Sequence, residues 1–120
     1  MAKKIPTKGQ IWHTNGDPTS GREFKGSHYY LVISDEKLNK PLGTAIAVPI
    51  TSAGKLARSS GVTVILDGAS TDKGIVTGCV LCHQLRTLDL EARNASYSSS
   101  VTPEILDEVI GKIIDIIDPT

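Results

Sequence analysis

Apolar and polar positions alternate in short runs along most of the chain, and only the last stretch changes to a helical period. Gln10–Thr14 reads as a short first strand, and Tyr29–Ser34 as a second, rich in β-formers. Thr44–Ile50 alternates well enough for a third, with Pro49 demoting its end to a sheet edge or a bulge. Val62–Leu66 is a fourth, closed by the turn signal Asp67-Gly68. Ile75–Cys82 is a fifth, and Arg86–Leu88 continues it after a bend. Between these runs lie a polar leader (Met1–Lys8), a glycine- and proline-rich loop (Asn15–Ser27), a polar excursion (Asp35–Gly43) and a second long loop (Thr51–Gly61). Ala92–Ser100 is small and polar and reads as irregular. Thr102-Pro103-Glu104 then opens a helix: the threonine can cap it, the proline suits its first position, and the acid sits at the positive end of its dipole. Ile105, Leu106, Val109, Ile110, Ile113, Ile114 and Ile117 share one face, which predicts packing on a sheet, and Asp118-Pro119 ends the helix. The expected architecture is mainly β with a C-terminal helix, a strongly bent antiparallel sheet or partly open barrel.

At 120 residues the chain is expected to form one domain, spanning 1–120, with a core of its own. Thirteen basic and thirteen acidic residues cancel, so bulk charge indicates neither a nonspecific nucleic-acid binder nor a membrane binder. No run approaches the ~18 apolar residues of a spanning helix, and Met1-Ala2-Lys3-Lys4 does not lead into a signal-type apolar segment. A cytoplasmic protein without a membrane partner is expected.

The densest chemistry is Thr77–Asp89, which holds both cysteines and His83. Cys79-Val80-Leu81-Cys82-His83 spells a haem-attachment motif. The spelling conflicts with its setting, because side chains three apart on a strand point to opposite faces. A four-ligand zinc site lacks its second pair, and a redox dithiol lacks its helix N-terminus. No cofactor and no metal are expected. Strand parity puts Val80 and Cys82 on the core face, and Thr77, Cys79, Leu81 and His83 on a face open to solvent, a groove or a partner. His13 and His28 flank the first long loop. Each is weak alone, but two imidazoles brought together would suit acid and base roles near neutrality.

Several segments, in order, resemble the PemK/Kid/MazF toxins. Gly9-Gln10-Ile11-Trp12 followed by Gly16-Asp17-Pro18-Thr19-Ser20-Gly21-Arg22-Glu23 is similar to the family's opening. Leu31-Val32-Ile33-Ser34 resembles its second strand. Val48-Pro49-Ile50-Thr51-Ser52, with Gly54, Ala57-Arg58 and Gly61, is similar to V-P-[IV]-T-x-G-x-x-x-A-R-x-x-G of the Kid branch. Gly78 through Gln84, Arg86, Asp89 and Ala92-Arg93 is similar to G-x-V-x-x-x-Q-x-R-x-x-D-x-x-A-R.

The resemblance implies an SH3-like barrel with a C-terminal helix, assembled as a homodimer. It implies the toxin of a type II toxin–antitoxin pair that cuts single-stranded mRNA at short sequences without a metal. An antitoxin of the PemI/MazE type would block it with a disordered tail. Such cleavage needs a base for the ribose 2′-OH, an acid for the departing 5′-oxygen and donors for the phosphorane charge. The chain departs from the Kid pattern at the expected catalytic positions. Leu81 and His83 stand where an arginine and an aspartate are expected, Arg22 where the loop has a histidine, and His28 where an arginine precedes a proline, itself Tyr29 here.

Glu23 and the pair Thr51-Ser52 are retained. The implied catalytic set is therefore His83 as base, His28 or Arg22 as acid or phosphate ligand, and Glu23. Thr51, Ser52, Lys55, Arg58, Thr77, Cys79 and Arg86 are candidates for holding the substrate. Arg86 and Arg93 equally suit ion pairs with Asp89 and Glu91, and Lys55 and Arg58 equally suit a solvated loop. Two alternatives stay open: a homologue with weakened nuclease activity that still binds RNA, and a CcdB-like toxin that binds gyrase.

Overall fold

The computed structural model describes residues 4–14, 29–51 and 61–119. The loop candidates Arg22, Glu23, His28, Ser52, Lys55 and Arg58 lie outside the described residues.

Strand β3 (Ala45–Thr51) is the centre of the sheet. β2 (Tyr29–Val32) pairs along one edge, and β5 (Gly78–Leu81) and β6 (Arg86–Leu88) share the other. β1 (Gln10–His13) extends the sheet beyond β2, β7 (Ser96–Ser100) lies beyond β1, and β4 (Thr63–Leu66) lies beyond β5. Every pairing is antiparallel. Among the described residues β4 and β7 are the two ends of this order, and an isolated bridge from Thr71 to Val101 links the segment after β4 to the end of β7. The sheet is thus open and bent.

The pleat sorts the apolar residues into two layers. Ile11, Leu31, Val48, Ile50, Val64, Val80 and Cys82 face one side with Val109 and Ile113. Those two belong to helix α2 (Pro103–Ile117), which lies over β4. Trp12, Tyr30, Val32, Ala47, Leu88 and Leu90 make a second layer on the opposite face. The Thr102 hydroxyl accepts from Ile105 N at 3.3 Å, so the foreseen cap and proline start are both present. The apolar stripe of α2 is used only in part: Val109 and Ile113 are buried, whereas Ile114 and Ile117 at its far end stand exposed.

Three expectations are corrected. Pro49 ends no edge; it is buried in the central strand, opposite Tyr30. It sits where the partner along the other side changes from β6, which covers residues 45–47, to β5, which covers 50–51. Its missing N–H therefore costs no ladder bond there.

The excursion after β2 contains a helix, α1 (Glu36–Leu42). Asp35 caps it by accepting from Lys37 N at 2.9 Å, and Gly43 ends it at φ 72°, donating to Asn39 O. Only Asn39 of α1 is buried, so no apolar stripe marked it, and Pro41 inside it argued against it.

Ser96–Ser100 is a strand although it has little apolar alternation; β1 supplies its partner, across a register shift between Ile11 and Trp12.

Two residues of the leader, Pro6 and Thr7, are bonded to α1. Glu36 N donates to Thr7 Oγ1 at 3.0 Å, and Asn39 Nδ2 donates to Pro6 O at 2.8 Å.

Candidate active site

Thr51 stands directly opposite Cys79, and Cys79 opposite Ile65, in one row across β3, β5 and β4. Opposed residues of antiparallel strands have Cα atoms about 4.5–5.5 Å apart, so Thr51 and Cys79 are neighbours on one sheet face. Tyr29 pairs with His13 on one side and Ile50 on the other. Thr14, Tyr29 and Thr51, which flank residues 15–28 and 52–60, therefore stand at one end of the sheet. The loop candidates Arg22, Glu23 and His28 fall in the first of these segments and Ser52, Lys55 and Arg58 in the second.

The expected open face of β5 is not open. Cys79 is 4 % exposed and Leu81 7 %, so both are buried, as are Val80 and Cys82 on the other side. Parity holds for these four, because Val80 and Cys82 join the layer under α2 and neither Cys79 nor Leu81 does. It fails at His83, because the strand stops at Leu81. Cys82 N still donates across to Val62 O at 2.9 Å, and Gln84 N then donates to Leu81 O at 3.1 Å, which turns the chain before β6 begins. His83 is exposed on this turn, with its Nε2 3.5 Å from Gln84 Nε2. Since β5 runs away from Thr51 and β6 starts opposite Ala47, the turn lies toward the middle of β3 rather than beside Thr51. Thr77 is exposed just before β5, Thr51 is half-buried, and Arg86 is half-buried on β6.

Cys79 and Cys82 are free thiols on opposite faces. Haem attachment needs both sulfurs on one cofactor, which this placement forbids. Burial pushes the Cys82 thiol up to about 11; Lys112 partly offsets this and Glu108 adds to it. Among the described residues, no three His, Cys, Asp or Glu side chains gather as metal ligands.

One feature of this end was not legible in advance. His13 packs edge-on against Tyr29, with ring centroids 4.9 Å apart and planes at 62°. The available signal was a histidine closing one strand and a tyrosine opening the next, on either side of a loop. Trp12 is buried in the second apolar layer, edge-on to Tyr97 at 6.1 Å. Tyr30 is buried in the sheet, which leaves Tyr29 as the accessible tyrosine of that pair.

Residues 7–117 match the family described as the PemK-like, MazF-like toxin of type II toxin–antitoxin systems. The chain is 36% identical over 110 residues to the endoribonuclease PemK of Escherichia coli, covering 92% of this chain and 80% of that protein. It is 33% identical over 120 residues to the endoribonuclease toxin ChpB of E. coli K12, covering 98% and 100%. Among solved structures it superposes on MazF of Deinococcus radiodurans with TM-score 0.83 at 29% identity, covering 96% and 98% of the two chains. It also superposes on a chain of the MazE–MazF complex of that organism, with TM-score 0.79 at 27% identity and coverage of 98% and 100%. No described helix is long and apolar enough to cross a membrane. The match over nearly the whole chain, on a bent antiparallel sheet with its C-terminal helix in place, shows that this chain belongs to the PemK-like, MazF-like toxins of type II toxin–antitoxin systems.

Proposed function

We propose that this toxin is a metal-free endoribonuclease that cuts single-stranded mRNA in the cytoplasm, works as a homodimer and is held inactive by a cognate antitoxin. The observation that carries this is the collinear match of residues 7–117, which joins the chain to relatives named as endoribonucleases. In the proposed reaction a base takes the proton of a ribose 2′-OH, and that oxygen bonds to the adjacent phosphorus. The 5′-oxygen departs with a proton from an acid, leaving a 2′,3′-cyclic phosphate and a 5′-hydroxyl.

His83 is the assigned base, since it is exposed on its turn and imidazole suits proton transfer near neutrality. His28 or Arg22 gives the proton or holds the phosphate and Glu23 assists, while the Thr51 and Ser52 hydroxyls, at the end of β3 away from the His83 turn, donate to a neighbouring phosphate of the bound strand. Lys55, Arg58, Thr77 and Arg86 hold the flanking backbone, while Cys79, being buried, contributes shape. Cleavage of a long single-stranded RNA, followed across pH, tests this. A bell-shaped profile should lose one limb in His83→Ala and the other in His28→Ala, and wild-type-like cleavage by the double variant would refute the assignment.

A second reading is favoured by Leu81. A buried leucine stands where the Kid pattern has arginine, so that source of positive charge is missing. In this reading the chain binds RNA and cuts it weakly or not at all. Retention of RNA on the protein without product in the same assay distinguishes it.

A further inference from the structure

The end row of the sheet carries two aromatic rings that the proposed mechanism does not use. His13 and Tyr29 stand directly opposite each other where β1 ends and β2 begins. Their ring centroids are 4.9 Å apart, with the planes at 62°. Ser96 lies opposite His13 on β7 and Ile50 opposite Tyr29 on β3, so the row runs Ser96, His13, Tyr29, Ile50. Ile50 is buried, and Tyr29 packs against the apolar layer under α2. That contact backs the tyrosine ring, and the tyrosine supports the imidazole. Both rings are only half-buried and Ser96 beyond them is exposed, so the pair keeps an accessible side.

The other described aromatic rings of the strands are committed elsewhere. Trp12 and Tyr30 are buried. Tyr97 is edge-on to Trp12, with Lys4 Nζ at 4.1 Å and Lys73 Nζ at 5.3 Å from its centroid, so that ring already has cations on it. Tyr29 stands where the family pattern has a proline, so the pair is a feature of this chain and not of that pattern.

Thr51 follows Ile50 on β3, one residue beyond the position opposite Tyr29. With strands about 4.8 Å apart and residues about 3.4 Å apart along them, the Thr51 and Tyr29 backbones are roughly 6 Å apart, within reach of a single nucleotide. Parity puts the Thr51 side chain on the opposite face from Ile50, so a nucleic-acid strand held by Thr51 and by the ring pair crosses the end of the sheet. We infer that His13 and Tyr29 form a stacking platform for one base of the bound single-stranded RNA, next to the phosphate assigned to Thr51. Unpaired bases stack on tyrosine and histidine rings. Two rings that already brace each other lose little side-chain freedom when a base arrives. The ligand rests on the RNA reading above, but stacking needs no turnover and operates equally in a toxin that cuts weakly.

The probe is a random-sequence single-stranded decamer of 2′-O-methyl RNA with 5-bromouridine in place of uridine. Methylation removes the attacking hydroxyl, so the strand stays whole on an active enzyme. Ultraviolet irradiation joins 5-bromouracil to aromatic side chains in contact with it, and mass spectrometry of the digested full chain locates the adduct. Adducts at His13 or Tyr29 are expected. Without irradiation, Tyr29→Leu and His13→Ala, each checked for wild-type secondary structure, should bind the decamer at least about fivefold more weakly, the low end of what one lost base stack costs. Tyr29→Phe and His13→Phe keep a ring at each position and should stay within about twofold of wild type.

Retention of the decamer with adducts only at other residues, or unchanged affinity in both ring-removing variants, would overturn the platform. Cleavage of unmodified RNA by the same preparation is followed in parallel. Cleavage without retention or adducts at the pair refutes the platform alone and leaves the nuclease reading standing. Adducts at the pair without cleavage support the platform and count against the nuclease reading. A wild-type protein that neither retains the decamer nor cuts RNA refutes both.

Discussion

Asn39 is the most exacting test of how the leader and α1 are held together. It is 3 % exposed, yet its side chain serves three partners: Nδ2 to Pro6 O at 2.8 Å, Nδ2 to Ser34 O at 2.9 Å, and Oδ1 from Ser34 Oγ at 2.6 Å. Asn39→Ala strips two carbonyls of a donor and one hydroxyl of an acceptor. Ser34 Oγ keeps its contact with Ile46 N at 2.9 Å. A buried group left unpaired costs about 1–3 kcal/mol. Water reaching Pro6 O as the leader loosens returns part of that cost, so a loss of about 2–4 kcal/mol is expected. That is a large share of the ~6–18 kcal/mol ordinary for a domain of this length. Urea unfolding followed by Trp12 emission measures it, and Asn39→Leu, which fills similar space without polar atoms, should lose nearly as much. Proteolysis within Lys4–Lys8 should also quicken in both variants. If either variant unfolds within about 0.5 kcal/mol of wild type, the scatter of an ordinary surface change, the bonds do not hold the leader.

Three further outcomes are expected. The Cys82 thiol is raised from 9.0 to about 11 by burial, so the folded protein holds that proton more tightly than the unfolded chain. Its contribution is complete below pH 9 and is lost as pH rises from 9 through 11. About 2–3 kcal/mol of unfolding free energy should disappear over that window, a slope absent in Cys82→Val when both are unfolded in urea at several pH values. Below pH 9 iodoacetamide should leave Cys82 unmodified in the native protein and alkylate it in urea, read by mass spectrometry. Thr102→Ala removes the hydroxyl that accepts from Ile105 N and should cost about 1 kcal/mol in thermal or urea unfolding, with Thr102→Ser close to wild type.

Most of the fold could be read from the chain because it rests on local rules. The apolar strands between residues 10 and 88 announced themselves by composition and alternation, and the helix from Pro103 by its cap, its proline and its stripe. What was missed has little apolar signature. Helix α1 buries one polar residue, and its sign was the pair Asp35 and Gly43 at its ends rather than anything between them. Strand β7 is four serines and a tyrosine, and it exists because β1 offers a partner nearly 90 residues earlier in the chain. The site was less legible than the fold. Parity on β5 was sound for Cys79 to Cys82, but a turn closed by Gln84 N on Leu81 O took His83 off the strand, and no residue type in Cys82-His83-Gln84-Leu85 marks that turn.

Leu81 joins the fold to the function. At 7 % exposed it fills space on β5 opposite Thr63, so this position is committed to packing where the Kid-branch pattern carries a cation. Leu81→Arg should lose most of the roughly 1.5–3 kcal/mol gained by burying a leucine, and a guanidinium partly removed from water adds to that loss. A total of about 2–4 kcal/mol is expected in urea unfolding, while His83→Asp, made on an exposed turn, should change stability by less than about 0.5 kcal/mol. The double variant carries the Kid-branch pair, with the arginine on β5 and the aspartate on the turn after it. If Leu81→Arg proves as stable as wild type, the face of β5 admits a cation without penalty, and the burial of Leu81 explains nothing about the altered site. If the cost appears and the double variant still cuts RNA no faster than His83→Asp alone, the packing around Leu81 has closed the position to substrate, and restoring the cation there cannot restore the Kid-branch site on this sheet.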